Sequence, residues 1–160
     1  MTDRAEMTLA VFADYFQFYL LDAATNEDFG ALWTEEAVER LLAVAPHAVG
    51  IGTARNMAVP VAISVHEREP AADFAEWEQV HDCSFTVLSG RVAVLGATDY
   101  LPDAPSLSLR PGPYRVRISY AGLETLSEDG LEGDDFYRIQ LWPAPLAALV
   151  TRKERAGATG

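Results

Sequence analysis

Cysteine and positive charge are the two things that this sequence has least of. Its 160 residues include one cysteine, Cys83, which excludes an internal disulfide framework and favours a reducing compartment. Lys and Arg number 12 against 24 Asp and Glu, so the net charge is -12. A chain this acidic repels DNA phosphates and anionic lipid, so we expect neither direct nucleic-acid binding nor membrane binding. Cationic proteins are the favoured partners, although the charge could also serve solubility alone.

Long apolar runs are missing as well. No segment approaches the ~18 apolar residues that a membrane-spanning helix needs, and Met1–Glu6 lacks the apolar core of a signal peptide. We therefore expect a cytoplasmic protein. The length and the hydrophobic content of 49% predict a single domain at residues 8–150, between a flexible N-terminus at 1–7 and a disordered tail at 151–160.

Recognised catalytic and metal-binding motifs are absent from the sequence. It has no nucleophile elbow, no His-Glu-x-x-His segment and no Cys and His in a familiar context, so we expect no enzyme activity and no cofactor. His81 and Cys83 are two residues apart, and His47 and His66 add further nitrogen ligands, which makes a zinc site conceivable. An isolated pair lacks the paired spacings of structural zinc, so a buried thiol beside a loop histidine is the favoured interpretation.

What the sequence does contain is alternation of apolar and polar residues. Between Pro113 and Pro143, the segments Tyr114–Tyr120 and Phe136–Trp142 are apolar at every second position, which is typical of antiparallel strands with one wetter face. Further strands are predicted at 49–52, 59–65, 83–88, 91–95 and 106–109, with Ser89-Gly90 as a two-residue hairpin connection. The prediction is a mainly β protein, an antiparallel β-sandwich of about eight strands with one principal helix.

The first strand and the helix are predicted from the N-terminal third of the chain. Thr8–Leu21 is an almost continuous aromatic and aliphatic run, which predicts a strand with both faces covered or, alternatively, one with an aromatic face left for a partner. The helix is predicted at about residues 35–45, with Thr34 as its N-cap and Pro46 as its end. Trp33 and Val38 have the spacing of a hydrophobic staple around that cap.

An acidic loop, Glu124–Asp135, joins the two alternating segments and contains no basic residue. It could bind calcium, although its spacing matches no EF-hand, or face a cationic partner. It could instead offset the positive charges of Arg115, Arg117 and Arg138, which are predicted on one face of the sheet. Its candidate partner-binding residues are Glu128, Asp129, Glu132, Asp134 and Asp135.

Several short segments, in order along residues 10–143, resemble one protein family. They are Tyr15–Tyr19 in the first strand, Trp33–Ala37 at the start of the helix, Arg55-Asn56 before a valine-rich strand, and Pro111–Val116 late in the chain. Together they are similar to competence protein J, a bacterial family of small acidic inhibitors of the DNA-entry nuclease used in transformation. The resemblance implies a compact β-rich protein that binds and blocks a nuclease and has no catalytic activity. The alternative is a β-sandwich that binds calcium or a small ligand.

Overall fold

The computed structural model describes residues 6–25, 31–96 and 104–154. These ranges contain eleven strands and one α-helix. In chain order they are β1 (Glu6–Phe12), β2 (Gln17–Asp22), α1 (Glu35–Arg40), β3 (Leu42–Ala45), β4 (Ala48–Gly52), β5 (Ala58–Val65), β6 (Gln79–Val87), β7 (Arg91–Gly96), β8 (Ser106–Ser108), β9 (Gly112–Ala121), β10 (Phe136–Pro143) and β11 (Val150–Lys153).

The strands form two sheets that pack face to face. The six-stranded sheet has the order β1-β5-β10-β9-β6-β11, and the five-stranded sheet has the order β3-β4-β2-β7-β8. Buried side chains of both sheets meet in one core, for example Ile63 and Ile118 from the larger sheet and Phe18 and Val94 from the smaller. The predicted mainly β sandwich is therefore confirmed. The pairs formed by the described strands are antiparallel except β5 and β10, which run parallel.

The two alternating segments form the middle of the larger sheet as β9 and β10. They pair antiparallel, with Ile118 opposite Ile139 and Tyr120 opposite Tyr137. All four side chains are almost fully buried. Each such side chain contributes about 1.5–3 kcal/mol to stability on burial, so the period of two in the sequence places the centre of the core correctly.

The alternation predicts that the outer face of this sheet is wetter, but Arg115 and Arg117 are buried there and Arg138 is partly buried. Arg117 is 1% exposed and lies between the rings of Phe74 and Trp142, 5.0 and 5.2 Å from their centroids. Its guanidinium donates to both carboxylate oxygens of Asp82, at 2.8 and 3.0 Å, and to Glu69 at 2.9 Å. The segment that contains Phe74 therefore covers the sheet, and the buried charge is paired as burial requires.

The C-terminal part of the described chain adds an edge strand to this sheet and contacts the same face through Arg152. The prediction of a disordered tail from residue 151 is wrong at Thr151–Lys153, because β11 pairs with β6 and Arg152 donates to Asp82 at 2.9 Å. At the other end, β1 begins at Glu6, inside the segment that was predicted to be flexible. Residues 1–5 and 155–160 lie outside the described residues.

The helix is shorter than the sequence pattern predicts. The Thr34 hydroxyl accepts a hydrogen bond from Ala37 at 3.2 Å, as expected for the N-cap. α1 then ends at Arg40, because Leu41 adopts a left-handed conformation with φ of 61° and β3 begins at Leu42. The predicted apolar stripe is thus divided between helix and strand. In the described part of the chain no helix is both long and apolar enough to cross a membrane.

Two connections pass from one sheet to the other where the sequence predicts a single strand or a hairpin. The predicted strand at Thr8–Leu21 is two strands in different sheets, β1 and β2, separated by a 3₁₀ turn at Asp14–Phe16. Ser89-Gly90 does not form a hairpin, since β6 and β7 also belong to different sheets. At that crossing the Asp22 carboxylate accepts hydrogen bonds from the backbone N–H groups of Leu88 and Ser89.

Asp82 should contribute more to stability than any exposed ion-pair partner on the same face. We expect Asp82→Asn to lower the free energy of unfolding by about 3 kcal/mol, because it leaves the buried charge of Arg117 poorly paired. The matched control is Asp73→Asn, which removes the partly exposed partner of Arg138 and should cost about 1 kcal/mol or less. Urea unfolding of both variants measures the difference, and equal losses would contradict the prediction.

The contribution of Asp82 should also depend on pH. Burial raises the pKa of Asp82, but the hydrogen bonds and charges of Arg117 and Arg152 outweigh burial and lower the pKa below its ordinary value of 3.8. A carboxyl group with a lowered folded-state pKa stabilises the fold above its unfolded-state pKa, and that stability is lost as the pH falls through the folded-state pKa. The difference in unfolding free energy between the protein and Asp82→Asn should therefore shrink as the pH falls from about 5 to about 2.

Candidate interaction surface

The acidic loop is ordered by hydrogen bonds within itself. Ser127 and Glu132 approach each other, with the Ser127 N–H donating to the Glu132 carbonyl at 2.8 Å. The Asp129 carboxylate accepts from the Ser127 hydroxyl at 2.6 Å and from the Leu131 N–H at 3.0 Å. These hydrogen bonds lower the pKa of Asp129 below its ordinary value. The loop therefore has a defined shape that its own hydrogen bonds support.

Four of the five predicted site residues point into solvent. Glu128, Asp129, Glu132 and Asp134 are exposed. None of the four takes part in the ion pairs formed by the described residues. Their negative charge is consequently directed outward, as a surface that attracts cations requires.

Asp135, the fifth predicted site residue, points into the protein. It is fully buried and pairs with the Arg55 guanidinium at 2.5 Å, and it accepts a hydrogen bond from the Tyr137 hydroxyl at 2.7 Å. The same hydroxyl accepts from the Ala54 N–H at 2.7 Å, and Arg55 reaches the Leu131 carbonyl at 3.5 Å. Asp135 therefore holds the acidic loop against the β4–β5 connection and is not accessible to a partner.

The acidic loop does not offset the arginines of β9 and β10, so that interpretation is wrong. Arg117 is paired with Asp82 and Glu69, and both terminal nitrogens of Arg138 donate to Asp73 at 2.6 Å. Arg115 donates to the Ser84 hydroxyl and to two backbone carbonyls, those of Ala147 and Ala148. The counter-charges come from the covering segment and from β6.

The side chains considered for metal binding make other contacts in the structure. His81 lies in β6, not in a loop, and its two ring nitrogens lie 3.0 Å from the Thr151 hydroxyl and the Arg40 carbonyl. Cys83 is buried in the core, and burial raises the pKa of its thiol to about 12. Within residues 6–25, 31–96 and 104–154, no group of three or more His, Cys, Asp or Glu side chains is placed to hold a metal ion, either here or in the acidic loop.

A second exposed feature lies at the crossing from β1 to β2. Phe12, Tyr15 and Phe16 are 44%, 68% and 53% exposed, against the expectation that this run is buried. The alternative interpretation, an aromatic face left for a partner, describes them better. The exposure of these rings is set by the backbone of the turn at Asp14–Phe16. The periodicity of the sequence therefore does not reveal it.

Comparison with known proteins identifies the architecture. No family model and no curated protein matches the chain. The crystal structure of ComJ from Bacillus subtilis, an inhibitor of the DNA degrading activity of NucA, matches with a TM-score of 0.64 and 20% identity over 90% of this chain and 99% of ComJ. This chain has the fold of ComJ. A second solved structure, described as crocagin biosynthetic gene J, matches with a TM-score of 0.58 and 19% identity over 91% of this chain and 99% of its own.

The inward-facing carboxylate predicts how the acidic loop responds to mutation. Asp135→Asn should loosen the loop, because a neutral amide pairs poorly with Arg55 and Tyr137. We expect faster amide hydrogen exchange at residues 125–135 than in the unmodified protein. Glu132→Gln, in the same loop but exposed, is the control and should leave exchange unchanged. Similar exchange in both variants would show that Asp135 does not hold the loop.

Proposed function

We propose that this protein is a non-catalytic inhibitor that binds a cationic, DNA-degrading nuclease. The observation that carries the proposal is its fold, because ComJ, an inhibitor of the DNA degrading activity of NucA, matches over 99% of its own length. A fold can host unrelated functions, so the site chemistry has to agree as well. The agreement lies in the charge of the surface.

Charge supports the proposal because a nuclease presents cationic side chains to the phosphates of its substrate. An inhibitor can offer carboxylates in their place and gain both association rate and specificity. This chain carries a net charge of -12, and its exposed acids in the acidic loop have no ion-pair partner among the described residues. We propose that Glu128, Asp129, Glu132 and Asp134 face the nuclease, while Asp135 orients the loop.

The proposal is tested by capture and add-back. The immobilised protein is exposed to an extract of its host, bound proteins are released with salt, and the eluate is assayed for degradation of plasmid DNA. We expect the eluate to degrade DNA, about one equivalent of added soluble protein to stop the degradation, and the protein alone to leave DNA intact.

The controls exclude trivial inhibition by an acidic protein. Excess Mg²⁺ is included, because inhibition by sequestering a metal ion would then disappear, whereas inhibition by binding the nuclease would persist. An eluate without DNA-degrading activity, or one whose activity persists at several equivalents of added protein, would refute the proposed function.

The acidic loop should control the rate of association. Glu128→Gln combined with Glu132→Gln should slow association with the captured nuclease by about 2- to 5-fold at low ionic strength and reduce its salt dependence, because steering scales with the local field. Binding kinetics at several salt concentrations provide the measurement.

The matched control changes the net charge equally at a distant position. Glu67→Lys also raises the net charge by two, but Glu67 follows the end of β5, beside the end of β10 that is remote from the acidic loop. If Glu67→Lys slows association as much as the loop variant, the loop has no special role and only the total charge matters.

A further inference from the structure

An apolar groove lies between the β1–β2 turn and the helix. It has a volume of about 390 Å³, and Tyr15, Phe16, Trp33, Val38 and Gly52 contribute to its walls; we call it the aromatic groove. Val38 is 55% exposed although it belongs to the only α-helix among the described residues. Such a concentration of exposed apolar side chains on an acidic protein is a mark of a binding surface.

The backbone at the groove has an unfavourable conformation at two bulky residues. Tyr15 and Phe16 both have left-handed conformations, with φ of 59° and 61°. That region is unfavourable for bulky side chains, and neither ring is buried in return. Strain of this kind is found at ligand clamps, where the conformation serves binding. The combination of unfavourable backbone and exposed rings therefore motivates a binding role for this turn.

The groove is nevertheless held firmly by the framework behind it. The Phe16 carbonyl accepts from the Thr53 N–H at 2.9 Å, and the Trp33 indole donates to the Tyr19 hydroxyl at 3.3 Å. Trp33 approaches the sheet at Gly50, where a Cβ atom would lie 3.0 Å from both the Trp33 and the Tyr19 rings. A preformed apolar surface loses little entropy on binding, so it is suited to anchor a partner.

The aromatic groove and the acidic loop lie at the same end of the sandwich. Thr53, which lines the groove, donates through its hydroxyl to the Arg55 carbonyl at 2.7 Å. The Arg55 side chain in turn pairs with Asp135 at the end of the acidic loop. On the other side, Glu35 precedes Val38 by three residues on α1 and is exposed on the same face. Exposed carboxylates of the acidic loop and of α1 therefore lie at the same end of the sandwich as the groove.

We infer that the aromatic groove is the anchor of the partner interface and receives an apolar side chain flanked by Lys or Arg on a cationic protein. This inference rests on the proposed function, because it takes the nuclease as that cationic protein. The walls of the groove are mainly apolar, and exposed acids of α1 and of the acidic loop lie at the same end of the sandwich, which suits an apolar anchor within an acidic surface. A second copy of this chain is a poor occupant, since each copy carries a net charge of -12, and an anionic membrane is repelled for the same reason.

The test replaces the two strained aromatic residues by asparagine. Asn tolerates the left-handed conformation, so the variant Tyr15→Asn/Phe16→Asn should fold with a melting temperature that is unchanged or raised by about 2–4 °C. Its affinity for the cationic host protein that the immobilised chain retains should fall at least about tenfold, through faster dissociation, with the salt dependence of association unchanged.

The control removes two exposed apolar side chains elsewhere. Leu88→Asn/Leu146→Asn takes away residues that are 52% and 61% exposed, and Leu88 lies at the opposite end of β2 from the groove. This control should bind with unchanged affinity. Equal binding by the groove variant and the unmodified protein would overturn the anchor, as would a fall in melting temperature of the groove variant that accounts for its lost binding.

The outcomes for the anchor and for the proposed function differ. Suppose that the captured host protein does not degrade DNA but binds the groove variant more weakly than the unmodified protein. The nuclease proposal then fails and the anchor stands. If the captured host protein degrades DNA and binds the groove variant as tightly as the unmodified protein, the anchor fails and the nuclease proposal stands. If the immobilised chain retains no cationic protein, both are overturned.

Discussion

One buried ion pair, between Asp135 and Arg55, connects the proposed binding end of this protein to its core. Removing a carboxylate from water costs several kcal/mol, which is offset here by the Arg55 guanidinium and the Tyr137 hydroxyl. Tyr137 is itself buried between the rings of Phe18 and Tyr120. The acidic loop is therefore tied to the centre of the sandwich and not only to its surface, and so is the β4–β5 connection that borders the aromatic groove.

The negative charge at the surface follows from how the arginines of β9 and β10 are paired. The guanidinium groups of β9 and β10 donate hydrogen bonds close to where they lie, to Asp82, Glu69 and Asp73 or to backbone carbonyls. Because these positive charges are matched locally, they are not available to neutralise the acidic loop. The acids of the loop consequently leave a negative charge at the surface, and its field extends over about a Debye length.

The sequence predicted the parts of the fold that depend on local periodicity. A period of two in β9 and β10 reports which face is buried, and Thr34 reports where a helix begins, because both signals act over a few residues. The end of the helix, the sheet crossings and the pairing of Asp135 with Arg55 depend on contacts between segments far apart in the chain. At Leu42 the pairing with Ile51 overrides a helical pattern that remains favourable on its own. The sequence shows the acidic residues of the loop as a cluster. It does not show which of their side chains point into the protein and which point into solvent.

The turn at Asp14–Phe16 is another feature that local sequence patterns do not predict. Left-handed backbone is unfavourable for Tyr15 and Phe16, and both side chains remain more than half exposed, so burial offsets little of this cost. A carboxylate surface and an apolar anchor also act on different steps of binding. Charge acts at a distance and accelerates encounter, whereas apolar contact forms only after docking and slows dissociation. Neither step can substitute for the other. Under the proposed function, an inhibitor that competes with DNA for a cationic surface would therefore gain from having both at one end of its fold.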